Sequence, residues 1–196
     1  PWNLPLYLLS WKIAPAIVMG NTVVAKPSEL TPLTANLLAE VIHEIGLPQG
    51  VVNIVHGLGP KVGEPITKHP GVNAISFTGG TETGKKIAAI AAPMFKKLSL
   101  ELGGKNPNIV FADCDLDKAV STSVLSSFSN QGQICLCGSR IFIERNIYQN
   151  FKNKFLEKVQ NLSIGDPLEN TTKIGALISN DHMQKVLNHI QIANGK

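Results

Sequence analysis

The chain has 196 residues, 43% of them hydrophobic and 6% aromatic, and a formal net charge of +4. That length and apolar content support one or two domains with a real core, while scattered lysines and sparse aromatics argue against a nucleic-acid-binding surface. No apolar run is long enough to span a bilayer, PWNLPLYLLSW lacks the basic lead of a signal peptide, and three cysteines do not suggest a secreted disulfide framework. A cytoplasmic protein without a membrane partner is expected. The chain opens at Pro1 inside an apolar segment and stops just after a helical pattern, so it reads as a piece of a longer protein.

In chain order, residues 21–26 read as a short buried strand. Thr31 can cap a helix with Pro32 at its first position and a stop at Gly46. Residues 51–55 form the next strand, followed by a helix over 60–68. A third strand over 73–78 precedes a helix over 81–91. Strand-like runs at 97–102 and 108–112 lead to a helix that starts at Asp115 and runs toward Asn130. A strand over 140–144 and a helix over 147–160 follow. Short β-branched runs alternating with helices of this length predict βαβ units on a mostly parallel sheet, an α/β fold. The paired glycines Gly103 and Gly104 interrupt two strand-like runs and mark a possible domain seam.

Two glycine loops and one polar loop draw the eye. Gly57, Gly59 and Gly63 follow a strand and open a helix, in a spacing one residue longer than the usual dinucleotide fingerprint; a tight strand-to-helix turn explains them equally well. In FTGGTETG, Gly79 and Gly80 let backbone approach a ligand, and the next helix presents unsatisfied N–H groups that favour an anion; Glu82 also serves there as an ordinary helix-dipole partner. At Lys26-Pro27-Ser28-Glu29 a strand ends in a cation and a carboxylate. They suit ribose hydroxyls at the carboxyl end of a parallel strand, or a solvated loop in which Ser28 caps the following helix.

The stretch QGQICLCGSR places Cys135 and Cys137 two residues apart. Such spacing is poor for a disulfide, and a C-x-C without a second Cys/His cluster is half a metal site at most. His43, His56, His69, His182 and His189 do not complete one in sequence, so no metal is expected. Buried structural thiol and nucleophile both remain open for Cys135 on these grounds.

Taken in order, PWNLPL, KPSE, FTGGTETG, LELGGK and NQGQICLCGSR resemble the aldehyde dehydrogenase superfamily, over essentially the whole chain. Within it, PWNLPLYLLSWKIAPA, KKLSLELGGKNPNIVF and QICLCGSRIF look most like the aminomuconic and hydroxymuconic semialdehyde dehydrogenases. The resemblance implies a Rossmann-like parallel-sheet cofactor domain, of which residues 1–103 are the rear part, joined to the start of an α/β catalytic domain at 104–196. It also implies NAD as cofactor, a small-molecule aldehyde as substrate, and a homodimeric or homotetrameric parent.

Residue by residue, the resemblance makes Cys135 the thiol that adds to the aldehyde carbonyl, giving an oxyanion that collapses to a thioester as hydride leaves for the nicotinamide. Water then releases the acid. Glu101 matches the base, 34 positions before Cys135 (135 − 101) as in typical members, and Asn3 matches the amide that joins the Cys135 N–H in holding the oxyanion. Lys26 and Glu29 match the ribose ligands, with Ser28 beside them. Trp2, Gly59, Gly63, Phe77, Gly79, Gly80 and Thr83 match the adenine and pyrophosphate groove, and Leu102 and Gly103 lie toward the nicotinamide. Gly80 departs from the serine that many members carry. Leu4, Leu8, Trp11, Ile134 and Leu136 match the substrate tunnel, the last two on an extended segment around the nucleophile. Lys12 matches a lysine of a proton relay, or is a solvated helix lysine. Cys114 and Cys137 are expected to pack. A non-catalytic binding or structural member, an inert fragment, a dithiol redox module and a CoA-acylating relative are the rival readings; the last usually lacks the glutamate present here as Glu101.

Overall fold

The computed structural model describes residues 1–195. It divides into two compact units, the first Pro1–Gly103 and the second from Gly104 onward.

The first unit opens with helix α1 (Pro5–Val18), with proline in its first turn and Pro15 inside it. Its sequence is apolar nearly all round, so no helical stripe stands out; Leu8 and Ile13 are the residues it buries. Strand β1 (Val23–Ala25) leads to α2 (Leu33–Glu44), β2 (Val52–Ile54), a π-helical turn (Gly59–Gly63) and α3 (Glu64–Lys68). Strand β3 (Ala74–Gly79), α4 (Thr81–Ala91) and β4 (Lys97–Leu102) complete it. The bounds of α4 and β4 coincide with those expected from the sequence. The expected helix over 60–68 is split instead, because Gly59–Gly63 closes a wider turn before α3 begins.

The cap expected at Thr31 does not form. α2 starts at Leu33 after Pro32 with no side-chain cap, and the Thr31 hydroxyl is buried without a hydrogen-bond partner among the described residues. Nor does Ser28 cap that helix: its Oγ accepts from Leu30 N at 3.2 Å and closes a local turn.

Both strand pairs of this unit are parallel. β1 pairs β2 with Val23 opposite Val52, and β3 pairs β4 with Ala74 opposite Lys97 through Gly79 opposite Leu102. Along β4 the alternation is clean: Lys97, Ser99 and Glu101 are exposed, while Leu98, Leu100 and Leu102 turn inward. α4 lies close on that inner face. A Cβ at buried Gly84 would stand 2.6 Å from Leu102 Cδ2, so a larger residue there would push helix and strand apart.

The second unit contains β5 (Pro107–Val110), α5 (Leu116–Phe128), a 3₁₀ turn (Ser129–Gly132), β6 (Arg140–Ile143), α6 (Tyr148–Gln160) and α7 (Asn180–Asn194). Asp115, where the sequence places the start of this helix, is its N-cap, its carboxylate accepting from Lys118 N at 3.1 Å. β5 and β6 form a third parallel pair, Pro107 opposite Arg140 through Val110 opposite Ile143. The fold class is therefore α/β with parallel strand pairs.

Val110, Val120 and Phe151 form the core of this unit, and Cys114 packs against it, as a small hydrophobe does. Phe151 is 1% exposed and stacks on Phe155 at 5.8 Å between ring centroids. Phe151→Ala is expected to destabilise this unit by about 3–5 kcal/mol, read from the midpoint of chemical denaturation. A loss below about 1 kcal/mol would place the core elsewhere.

Candidate active site

In the first unit the polar residues of interest gather where parallel strands end. Lys26 follows directly on β1, and its side chain is 16% exposed. Its ammonium donates to the carbonyls of Pro27 at 2.7 Å and Gly57 at 2.8 Å, and to Glu29 Oε2 at 3.1 Å. Gly57 lies just beyond β2, so parallel pairing brings the two loops within reach of one lysine. Gly57 itself has φ +146°, and a Cβ there would meet Val62 Cγ2 at 2.5 Å; only glycine fits on both counts. The Glu29 carboxyl is held below its usual range, first by its own backbone N–H and then by Lys26. A fixed cation and an ionised, half-exposed carboxylate thus stand side by side at one strand end.

A second group lies on the outer face of β3 and β4. Lys12 reaches from α1 and donates to Ser76 Oγ at 2.9 Å. Burial lowers the Lys12 pKa, and the Glu101 carboxylate works against that shift by favouring the ammonium. Glu101 is exposed and stands opposite Thr78 in register, two residues beyond the Ser76–Ser99 pair. The Thr78 hydroxyl is buried and has no hydrogen-bond partner among the described residues. Lys12 is therefore a partnered lysine facing Ser76 and Glu101, not a freely solvated one.

The FTGGTETG loop joins β3 to α4. Gly80 is the residue before the helix, in extended conformation with no side-chain cap, and a Cβ there would meet nothing within 4 Å. Phe77 covers Gly79, whose Cβ would stand 2.5 Å from Phe77 Cζ. Thr83 is exposed in the first turn of α4, Glu82 beside it pairs with Lys85 on the surface, Leu102 is half-buried and Gly103 exposed. Gly59 and Gly63 bound the π-helical turn, with the Lys26 side chain 3.8 Å from where a Cβ on Gly63 would sit. Trp2, Asn3 and Leu4 are half-buried just before α1; Leu8 belongs to the core, whereas Trp11 is 56% exposed and meets Tyr7 edge to face.

The second unit carries the cysteines. After α5, Asn130, Gln131 and Gly132 all adopt left-handed backbone, with φ of 50°, 57° and 73°. Each non-glycine residue in that region costs about 1–2 kcal/mol, so the surrounding contacts must hold this reversal in place. The chain then makes a tight turn in which Cys137 N donates to Ile134 O at 3.1 Å. This corrects the extended segment expected around the nucleophile: Cys135 and Leu136 sit at the head of a turn. Alternating Ile-Cys-Leu-Cys mimics a strand, but the reversal before it and the internal hydrogen bond bend it. Cys135 is exposed, Leu136 is 79% exposed, Ile134 is half-buried and Cys137 is buried at 8%. All three cysteines are free thiols. Among the described residues no group of three or more His, Cys, Asp or Glu is placed to hold a metal, and no helix is long and apolar enough to cross a membrane.

Several residues that fix this turn carried no signal in the sequence. The Asn106 side-chain amide donates to the carbonyls of both Cys135 and Cys137, the latter at 3.3 Å. Ser126 Oγ accepts from Gly138 N at 3.0 Å, and Ser127 Oγ donates to Gly138 O at 3.1 Å. A Cβ on Gly138 would lie 2.8 Å from Ser126 Oγ, so α5 and the turn are in close contact there. An exposed thiol next to a buried one, on a turn pinned from two sides, is an arrangement that can present a nucleophile.

Comparison with known proteins decides the family. The model of the aldehyde dehydrogenase family matches residues 1–196. The chain belongs to the aldehyde dehydrogenase family. This aldehyde dehydrogenase chain is 56% identical over 193 residues to the 2-aminomuconic semialdehyde dehydrogenase of Danio rerio, covering 98% of the chain and 40% of that protein. It is 52% identical over 194 residues to the 2-hydroxymuconic semialdehyde dehydrogenase of Pseudomonas sp. (strain CF600), again 98% and 40%. The betaine aldehyde dehydrogenase of Staphylococcus aureus, solved in complex with NAD+, superposes with a TM-score of 0.97 at 40% identity, over 100% of this chain and 39% of that one. The chain thus spans about 40% of the length of the curated relatives it matches.

The charge coupling in the first unit is open to direct measurement. In Glu101→Gln the carboxylate that favours the Lys12 ammonium is gone, so the pKa of Lys12 should fall further. Acetic anhydride modification of Lys12, followed by peptide mass analysis across pH, should show its midpoint move to lower pH. A midpoint that stays put or rises contradicts the proximity of these two side chains.

Proposed function

We propose that the full-length protein oxidises an aldehyde to the carboxylic acid in an NAD-dependent reaction, through a thioester on Cys135. The observation that carries this reading is an exposed free thiol at the head of a pinned turn, in a chain of the aldehyde dehydrogenase family. A muconic semialdehyde is the substrate class favoured by the similarity to the 2-aminomuconic and 2-hydroxymuconic enzymes. On this reading residues 1–103 are the rear part of the NAD-binding domain and 104–196 open the catalytic domain. The parent is a cytoplasmic homodimer or homotetramer.

The residues of the first unit fit the cofactor. Glu29, kept ionised and steadied by Lys26, suits an adenine ribose: a carboxylate accepts from the 2′-hydroxyl and repels a 2′-phosphate, which favours NAD over NADP. The open space over Gly80 and the uncapped start of α4 leave room and N–H donors for a pyrophosphate. Trp2, Ser28, Gly59, Gly63, Phe77, Gly79 and Thr83 would line its groove, as the family resemblance implies. Leu102 and Gly103 take the nicotinamide end. NAD, when bound, supplies the two-electron oxidant.

The protein's own part begins with the thiolate. Cys135 Sγ forms a bond to the aldehyde carbon as the carbonyl π electrons move to oxygen; the family resemblance gives Asn3 and the Cys135 N–H the role of stabilising that oxyanion. One such donor is worth about 3 kcal/mol of barrier. Loss of hydride gives the thioester. Glu101 then takes a proton from water as it attacks the acyl carbon, and the C–S bond breaks to return the thiolate. Leu4, Leu8, Trp11, Ile134 and Leu136 would line the path of the aldehyde chain.

Cys135→Ala in the full-length protein is expected to abolish aldehyde-dependent NADH formation, since no thiohemiacetal can form. Cys137→Ala, at a buried packing position, should keep most of the activity, any loss tracking thermal stability. The opposite outcome, an active Cys135→Ala and a dead Cys137→Ala, would move the nucleophile and redraw the site.

A further inference from the structure

We infer that Asn106 is a positioning residue for the reacting thiol: its side-chain amide clamps the turn so that Cys135 has a single backbone conformation. The inference rests on the reading of Cys135 as the nucleophile and adds a residue that the motif pattern does not mark.

A peptide group is planar and trans, so fixing the direction of its carbonyl fixes the opposing N–H as well. The plane between Ile134 and Cys135 is held because Ile134 O accepts from Cys137 N at 3.1 Å. The plane between Cys135 and Leu136 is held because Cys135 O accepts from the Asn106 amide. With the planes on both sides of its Cα held, φ and ψ of Cys135 are set, and χ1 is the one rotation left to aim Sγ. The first plane also turns the Cys135 N–H away from the inside of the turn, and that N–H has no partner among the described residues. The same nitrogen of Asn106 donates to Cys137 O at 3.3 Å and ties down the far side of the turn.

The anchor is itself rigid. Asn106 directly precedes β5, and its backbone carbonyl accepts from Arg140 N at 3.2 Å, at the head of the β5–β6 pair. The turn is therefore referenced to the sheet, through a half-buried side chain and not through loop contacts alone. An amide suits this place because one NH₂ group carries two donors, enough for two carbonyls.

Asn106→Asp separates hydrogen bonding from shape in the full-length protein. The carboxylate is nearly isosteric, but it sets an acceptor against two carbonyl oxygens and frees the turn. Alkylation of Cys135 by iodoacetamide, and kcat for aldehyde oxidation, should each fall at least about tenfold, since misplacement of a reacting atom by an ångström can cost about a hundredfold. KM for NAD should stay within about twofold, since the cofactor residues are untouched. Protonation restores a donor to the aspartic acid, so the ratio of variant to wild-type alkylation rate should rise as pH falls toward the carboxyl range. A purely structural lesion has no reason to show that recovery. Asn106→Ala removes the donors without adding charge and should slow alkylation in the same direction, which keeps the test decisive should the aspartate variant fail to fold. Wild-type alkylation rate and kcat in a folded Asn106 variant would overturn the inference. Cys135→Ala measured alongside tells the two ideas apart: if it still oxidises aldehyde, the nucleophile reading itself fails, whereas a dead Cys135→Ala beside fully active Asn106 variants removes only the role of Asn106.

Discussion

Parallel strand pairing is the constraint on which the site residues depend. In an antiparallel pair, the loops after two neighbouring strands leave from opposite ends; in a parallel pair they leave from the same end and meet. The pairing of Val23 with Val52 and Ala25 with Ile54 puts Lys26 and Gly57 at one edge, and the lysine bridges them. The β3–β4 register likewise sets Ser76, Thr78, Ser99 and Glu101 on one outer face, where Lys12 can reach from α1. In the second unit the effect works at the opposite edge. Pro107 opposite Arg140 aligns the starts of two strands, so the residues that enter them, Asn106 on one side and the cysteine turn on the other, come into contact.

The three cysteines show how little residue type says and how much placement does. Cys114 packs against the Val110–Val120–Phe151 core, Cys137 is buried behind the turn, and Cys135 alone is exposed. A thiol needs access and a fixed direction to attack. Placement therefore ranks Cys135 above the other two before any family relation is considered. In the left-handed run Asn130–Gln131–Gly132, glycine and asparagine tolerate the backbone and Gln131 carries most of the conformational cost. Side-chain hydrogen bonds from Asn106, Ser126 and Ser127 surround the segment that follows, and such over-determination is what lets a strained reversal persist.

Much of the architecture was legible in the residues. Helix α4 and strand β4 have the bounds their patterns predict, because short β-branched or alternating runs and a helix-opening Gly-Gly-Thr are local signals. Asp115 announces α5 for the same reason. The misses are where tertiary contacts decide. Thr31 looks like a cap, but its hydroxyl is buried with no hydrogen-bond partner among the described residues. Ile-Cys-Leu-Cys alternates like a strand yet turns, since a reversed backbone feeds it and Cys137 N closes back on Ile134 O. Asn106 stands 29 residues before Cys135, a separation that the β5–β6 register closes and no local period spans.

The account turns on one covalent event at one sulfur. The most direct test is a rapid-mixing experiment on the full-length protein carrying Glu101→Gln, with aldehyde and NAD, stopped in acid and read by peptide mass. Losing the base should slow water attack more than acyl formation, so the acyl group should accumulate on the peptide containing Cys135, on that residue and not on Cys137. Acid released at the wild-type rate with no acylated cysteine, or an acyl group found on Cys137, would contradict the account.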